Sequence, residues 1–576
     1  MVAQPQHAEV LPLSELAAGM EGEVWTVFQG TQPEPFTVKV TGVIANALGP
    51  GKSMILCELT DPRVQNMGAV AGMSGSPLYI DGRFAGALSY QVQRFETVRF
   101  AGFTPADDLL EVRRIAMDLS TPLPGSGDGT IPAQGPPAKP MTSSRDGLGD
   151  RRDGALAPLS PVFAFGGLSP QVTALVSGPL AELGIHTTTL GGATSGGSMD
   201  MSTSATLAPG QAVGAALAVG DITLAGTGTV SQVDGNRILA FGHPLLGLGT
   251  VEVPMTTAEI VAILPSNLSS FKISNTGPVI GTVRQDRLSA IYGELGAAPP
   301  MVPVTVISPQ RTLNFATVRH PRLTPAITAA GLSQAVLGSN DAGLSEGFAI
   351  TTQVNFPGGR KLTTERLFAG PEGFKQSLAA LTQSLTTWMQ NPVEEVFPDH
   401  VTFRVEPLPT NPTASLDNVQ FSHRQVAIGK TLKVTLSLRD FQSQPWQEIV
   451  KIPMASDWRG RELEILISSG PALDNLSGGQ TVYPVSQIRD FDAYLDVLRA
   501  QRRPDGLYVA VVTKSSIFLD QTESTLELPG SLARVARSAD SARFNQRAAR
   551  EILWETHILP HRLVPGLVRQ PLRVTD

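Results

Sequence analysis

Cysteine, aromatic residues and charge are all scarce in this chain, and each scarcity removes a class of protein. Cys57 is the single cysteine among 576 residues, which excludes an internal disulfide and any cysteine-built zinc or iron–sulfur centre within one chain. It falls inside the apolar run Met54-Ile55-Leu56-Cys57, so a buried structural thiol is expected rather than a reactive one. Aromatics make up 6% and charged residues 16%, and 44 Lys and Arg against 51 Asp and Glu leave a net charge of −7 with no long basic run. Phosphate neutralisation needs a concentrated basic face, so nucleic acid is not expected as a partner. No run of 18 apolar residues occurs; the nearest, Ala212 to Ala225, is cut by Gly220-Asp221, so no integral membrane segment is expected. The opening Met-Val-Ala-Gln-Pro-Gln-His lacks the basic and apolar regions of a signal peptide. An extracytoplasmic (periplasmic or secreted) location is expected if an export signal is missing from this version of the chain, and a cytoplasmic one otherwise.

Turn formers, in contrast, are plentiful: 56 Gly and 45 Pro point to many short strands. Residues 1–118 read as a β-rich unit, with the Asp-Gly hairpin signal at Asp81-Gly82 and a helix from Pro105 to Asp118. Residues 119–161, rich in Gly, Pro and Ser and without periodicity, read as a flexible linker. A second β-rich unit spans 162–330, with a helix near Pro170 to Leu183 and a hairpin at Asp234-Gly235. Residues 331–395 read as a helical connector, on the apolar spacing of Phe374, Leu378, Leu381, Leu385 and Trp388. Alternation over 396–475 suggests a β-sandwich-like accessory domain, through which a partner could dock. Residues 476–576 read as mixed α/β, with helices near 485–499 and 541–554 around a strand at Leu507 to Thr513.

The sharpest segment is Ala71-Gly72-Met73-Ser74-Gly75-Ser76-Pro77, directly before a strand. A nucleophilic serine must sit on a tight turn whose amides face the developing oxyanion, and flanking glycines permit that turn. In this geometry Gly72 and Ser74 would donate the oxyanion-hole amides, while Ser76 reads as a turn hydrogen-bonder. Serine also needs a base. Of eight histidines only His243 follows a strand inside a glycine-bracketed turn, Phe241-Gly242-His243-Pro244. Asp61, thirteen residues before Ser74 in Thr60-Asp61-Pro62, is a candidate for orienting the imidazole and equally a turn aspartate; Asp221, Asp234 and Asp286 are the alternatives. Gly49-Pro-Gly-Lys-Ser53 lacks the first glycine of a phosphate loop, and no metal-ligand spacing or cofactor motif is found, so neither metal nor cofactor is expected.

Together these residues resemble the SpoIVB-type serine peptidase family, a chymotrypsin-like group. Lys52 to Tyr90 carries the Asp61 and Ser74 stretch, and Gly226-Thr-Gly-Thr229-Val230 with Ala240-Phe-Gly-His243 carries the histidine stretch. In the family the histidine half comes first; here the order is reversed, which a cleft between two barrels tolerates if the linker spans it. The resemblance implies a mainly β, permuted chymotrypsin-like double β-barrel, followed by the β-sandwich-like and mixed α/β regions. It also implies a serine endopeptidase acting on protein or peptide substrates through Ser74, His243 and Asp61. The alternatives are a non-catalytic scaffold on a peptidase-like fold and an enzyme that processes only itself. The strand Thr97 to Phe103 is the expected place for a substrate strand to pair.

Overall fold

The computed structural model describes residues 8–92, 99–120, 156–159, 161–188, 192–193, 206–265, 270–338, 342–389, 394–477, 489–519, 524–526 and 545–575. Most of the expected linker, residues 121–155 and 160, therefore lies outside the described residues. The protein is mainly β, and the chain divides into two compact units, 1–301 with 315–323 and 302–314 with 324–576.

The first unit begins with β1 (Glu21–Thr26), β2 (Glu34–Gly49), β3 (Lys52–Leu59), α1 (Pro62–Met67), β4 (Pro77–Ile80), β5 (Arg83–Val92), β6 (Phe100–Pro105) and α2 (Ala106–Ser120). Its strands run in the order β4-β1-β2-β3-β6-β5, and pairing of β4 with β5 closes them into a six-stranded barrel with no free edge around the ring. Alternation decides which residues point inward: Phe36, Val38 and Val40 on β2 and Ile55, Cys57 and Leu59 on β3 fill the core. Burial pushes the Cys57 thiol up to about 12, as expected for a structural cysteine. The β4–β5 turn uses Asp81 and Gly82, both at positive φ (49° and 76°), which matches the twist of a tight hairpin.

After β7 (Leu156–Pro158) come β8 (Phe163–Gly166), α3 (Pro170–Ala181), the two-residue strands β9 (Thr187–Thr188) and β10 (Gly192–Ala193), β11 (Ala212–Gly220), β12 (Thr223–Asp234), β13 (Arg237–Ala240), β14 (Gly249–Leu264), β15 (Phe271–Arg287) and β16 (Ala290–Leu295). The order β11-β14-β15-β16-β13-β12, closed by β11 on β12, makes a second six-stranded barrel. Helix α2 contributes Ala106, Leu109 and Val112 to an apolar cluster with Trp25 and Tyr79 of the first barrel and Leu239 and Tyr292 of the second. The two barrels thus share a core.

In the second unit, 331–395 contains the expected helix (Gly370–Met389), but also a paired hairpin, Phe348–Asn355 with Lys361–Phe368. A three-stranded sheet from Ala414–Phe421, Thr431–Asp440 and Pro445–Pro453 shares one core with a sheet built on Leu463–Ser468, Leu507–Leu519 and Leu567–Thr575. The sandwich therefore runs past 475 into the C-terminal region. The helix expected at 541–554 is instead the strand Asn545–Ile558, paired with 507–519 from Leu507↔Ile558 to Leu519↔Asn545. A continuous partner strand overrides the local helical preference. The helix expected near 485–499 is Phe491–Arg499, with 485–488 outside the described residues. Among the described residues no helix is long and apolar enough to cross a membrane.

Candidate active site

Ser74 lies on the loop that closes the first barrel between α1 and β4. Gly72 and Gly75 take φ values of +96° and +93°, a region that side chains oppose. A Cβ on Gly75 would stand 2.1 Å from the Thr229 carbonyl oxygen and 2.4 Å from the Phe241 nitrogen, so no other residue fits there. The Met73 amide donates to Val70 O (2.9 Å), and the Ser76 amide and hydroxyl both donate to Met73 O (3.0 and 2.6 Å). Ser76 is thus the turn hydrogen-bonder that its position suggested. The Ser74 hydroxyl is buried, with no hydrogen-bond partner among the described residues. Among the described residues the Gly72 and Ser74 amides make no hydrogen bond either.

His243 follows β13 on a strained turn. Phe241, fully buried, adopts φ +70°, which a bulky residue does only when its surroundings enforce it. Imidazole Nδ1 lies 2.7 Å from the Pro244 carbonyl, which fixes the proton on Nδ1 and leaves Nε2 as the acceptor. Nε2 is buried and has no hydrogen-bond partner among the described residues. Burial holds the His243 pKa below its ordinary value, against the carbonyls of Pro244 and Leu159, which favour the charged ring. The turn after it wraps around Asp286: its carboxylate accepts the amides of Leu245 (2.7 Å), Leu246 (2.9 Å) and Leu248 (3.0 Å). Burial raises the Asp286 pKa, and those amides together with that of Gly247 oppose the rise.

One residue ties the two loops together. The Thr229 amide donates to Ser74 O (2.8 Å), its carbonyl accepts from the Phe241 amide (3.2 Å), and its hydroxyl donates to Gly72 O (3.0 Å). Ser231 adds a hydroxyl to Gly75 O (2.8 Å), and Thr104 donates to Gly242 O (2.7 Å). The serine and histidine turns, remote in sequence, are therefore adjacent. Among the described residues Asp61 is linked to neither loop by a hydrogen bond. It caps α1, accepting the Arg63 amide (2.8 Å), and both carboxylate oxygens hold the Arg63 guanidinium, which lowers its pKa. Asp234 pairs with Arg113 (3.2 Å), and Asp221 sits in the turn between β11 and β12.

Two features escaped the sequence. Lys272 on β15 is buried; its Nζ donates to the Thr26 hydroxyl (2.8 Å), and its stem covers Gly72, where a Cβ would lie 3.1 Å from the Lys272 Cβ. Burial pushes its pKa down to about 7, and no carboxylate pairs with it among the described residues. An apolar cavity of about 260 Å³ opens beside His243, between Tyr90, Pro158, Leu245, Leu246 and Leu288. A cavity of about 330 Å³ near Tyr79, Arg113 and Asp234 is lined by neither Ser74 nor His243. Strand β6, the core of the expected substrate-pairing segment, is flanked by β3 and β5 on its two sides, so it has no edge to offer; residues 97 and 98 lie outside the described residues.

Residues 3–95 match the family model described as SpoIVB peptidase S55. No curated protein and no solved structure matches the chain. The matched segment contains Asp61, Gly72 and Ser74 and ends before His243, and it points to a peptidase of the serine type. Residues 3–95, which bear the buried hydroxyl of Ser74, are thus similar to the SpoIVB peptidase family.

Proposed function

We propose that the protein is a serine endopeptidase in which Ser74 is the nucleophile and His243 the general base. The observation that carries this reading is a pair of buried, unpartnered atoms, Ser74 Oγ and His243 Nε2, on two loops joined through Thr229. Leaving such atoms unsatisfied costs about 1–3 kcal/mol each, a cost that function explains better than folding does. Ser74 Oγ attacks a substrate carbonyl as Nε2 takes its proton; the Gly72 and Ser74 amides receive the oxyanion; Nε2 then protonates the leaving amine. Water enters, gives a proton to Nε2 and attacks the acyl carbonyl; Nε2 then returns that proton to Ser74 Oγ as the ester bond breaks and the acid leaves. The Ser–His hydrogen bond is not made in the free enzyme and tightens when substrate is bound.

In this scheme the Pro244 carbonyl orients the imidazole, and Asp286 positions the turn that carries that carbonyl. Asp61 serves the serine half by capping α1 and anchoring Arg63. A fluorophosphonate probe tests the assignment: adduct on Ser74 that is lost in His243→Ala supports it, and absence of labelling under all conditions sinks it in favour of a scaffold. With a protein substrate such as unfolded casein, Ser74→Ala and His243→Ala should each lower kcat on the order of 10⁶-fold, because members of such a unit fail together.

A further inference from the structure

The edge of β5 beside the nucleophile is already occupied by the chain itself. As far as Ala87, β5 is paired on one side with β4. Beyond that point the partner chain turns away into the Ser74 loop, with the Gly75 amide on Leu88 O (2.7 Å) and the Leu88 amide on Ser76 O (2.9 Å). The vacated edge is where an extended peptide would run to bring a carbonyl to Ser74, because main-chain pairing to an open edge is how extended peptides are held. Strand β7 lies there, antiparallel, with Tyr90↔Pro158, Gln91↔Ala157 and Val92↔Leu156. The next residue continues the ladder: the Leu159 amide donates to Ser89 O (2.8 Å). Its carbonyl faces the His243 imidazole, and its side chain is buried in the apolar cluster that includes Met73 and Leu88. Pro158 walls the cavity beside His243.

We infer that Leu156–Leu159 holds the place of a substrate strand. The active site therefore takes extended peptides with a leucine-sized apolar residue on the carbonyl side of the cut bond, and the chain's own segment competes with them. This rests on the peptidase reading and adds the substrate class and the occupant to it. A built-in competitor lowers apparent affinity in proportion to the fraction of molecules in which the site is free.

Two variants weaken the occupant differently. Leu159→Gly removes its buried side chain. Ala157→Pro leaves Leu159 in place and deletes an amide: since the Leu159 N–H faces β5, antiparallel alternation turns the Ala157 N–H toward it as well. With Leu-Ala-Pro-Leu-p-nitroanilide as substrate, both variants should lower KM by about tenfold at unchanged kcat, which corresponds to a site free about one-tenth of the time in the parent. Exchange of the last leucine for aspartate should cut kcat/KM by more than about tenfold, the discrimination expected of an apolar pocket. Unchanged or raised KM in both variants, or equal turnover of the leucine and aspartate substrates, overturns the inference. Fluorophosphonate labelling of Ser74 separates the two failures: labelled protein with unchanged KM loses only the occupant, whereas unlabelled parent and variants lose the peptidase reading together with it.

Discussion

The two barrels of the first unit have the same strand number and the same closure, yet they fix the loops that bear Ser74 and His243 by different means. The Ser74 loop is held through its own main chain by several scattered donors: glycines at positive φ, and carbonyls of Gly72, Ser74 and Gly75 that accept the Thr229 hydroxyl, the Thr229 amide and the Ser231 hydroxyl in turn. The His243 loop is held by a side chain, the buried Asp286 carboxylate, which gathers successive amides from the turn after the histidine. A loop of the first kind spreads its anchors over several weak donors. A loop of the second kind gathers most of them on one removable carboxylate, and the comparison is sharpest there. Asp286→Asn keeps the shape but replaces one acceptor oxygen by an amide group that faces N–H donors. The imidazole should shift with its turn, and displacements of about 1 Å at reacting groups cost 10²-fold or more. Turnover should fall about 10³-fold while fluorescence and circular dichroism stay native; loss of less than tenfold would show that Asp286 does not position His243.

The same difference explains what could be read from the sequence. Gly72, Ser74, Gly75 and the Asp81-Gly82 turn are local, because each residue is there for a conformation that its neighbours in sequence demand. His243 is legible as a candidate from its turn, but the contact that holds that turn is not, since Asp286 lies more than forty residues later and acts through space. Thr229 is visible only as part of a Gly-Thr repeat; nothing in that repeat announces a residue that bonds to both the Ser74 and the His243 loops. The helix expected at 541–554 failed for a related reason: its partner strand, 507–519, lies outside any local window. Asp61 shows the converse. Its spacing before proline supports a helix cap as well as a catalytic acid, and the Arg63 guanidinium resolves which contact it makes.

A second contrast between the barrels is one of charge. The Ser-bearing loop is backed by a buried lysine contributed by the other barrel, Lys272, whose amine meets a hydroxyl and no carboxylate among the described residues. Burial pushes its pKa down to about 7 from the ordinary lysine value of 10.5. Below pH 7 both folded and unfolded chains carry the proton, and the buried ammonium destabilises the fold in full. Between pH 7 and 10.5 the unfolded chain binds more protons than the folded one, so stability rises with pH, and above 10.5 the penalty is gone. Lys272→Met should therefore be more stable than the parent by about 2 kcal/mol at pH 6, with the difference shrinking as pH rises to 10. Urea midpoints measured at both pH values check this; a difference that does not change with pH would mean that the amine is solvated.

The smallest effect is expected at Asp61, and it decides whether the two loops suffice. If an acid on the serine side had to orient His243, Asp61→Asn would lower turnover on the order of 10⁴-fold. The contacts argue otherwise: both oxygens are spent on Arg63 at the start of α1, and the imidazole Nδ1–H donates to the Pro244 carbonyl. Asparagine retains the helix cap through its side-chain oxygen and loses only the ion pair with a half-exposed arginine, worth about 0–1 kcal/mol. Turnover should fall less than tenfold and the urea midpoint should move slightly. Because the paired form of Asp61 is the ionised one, this small stabilisation is present at neutral pH and fades in acid as the carboxyl is protonated, so parent and variant should converge at low pH. A 10⁴-fold loss in Asp61→Asn at neutral pH would instead place this carboxylate in the catalytic unit and require the serine barrel to rearrange around it when substrate binds.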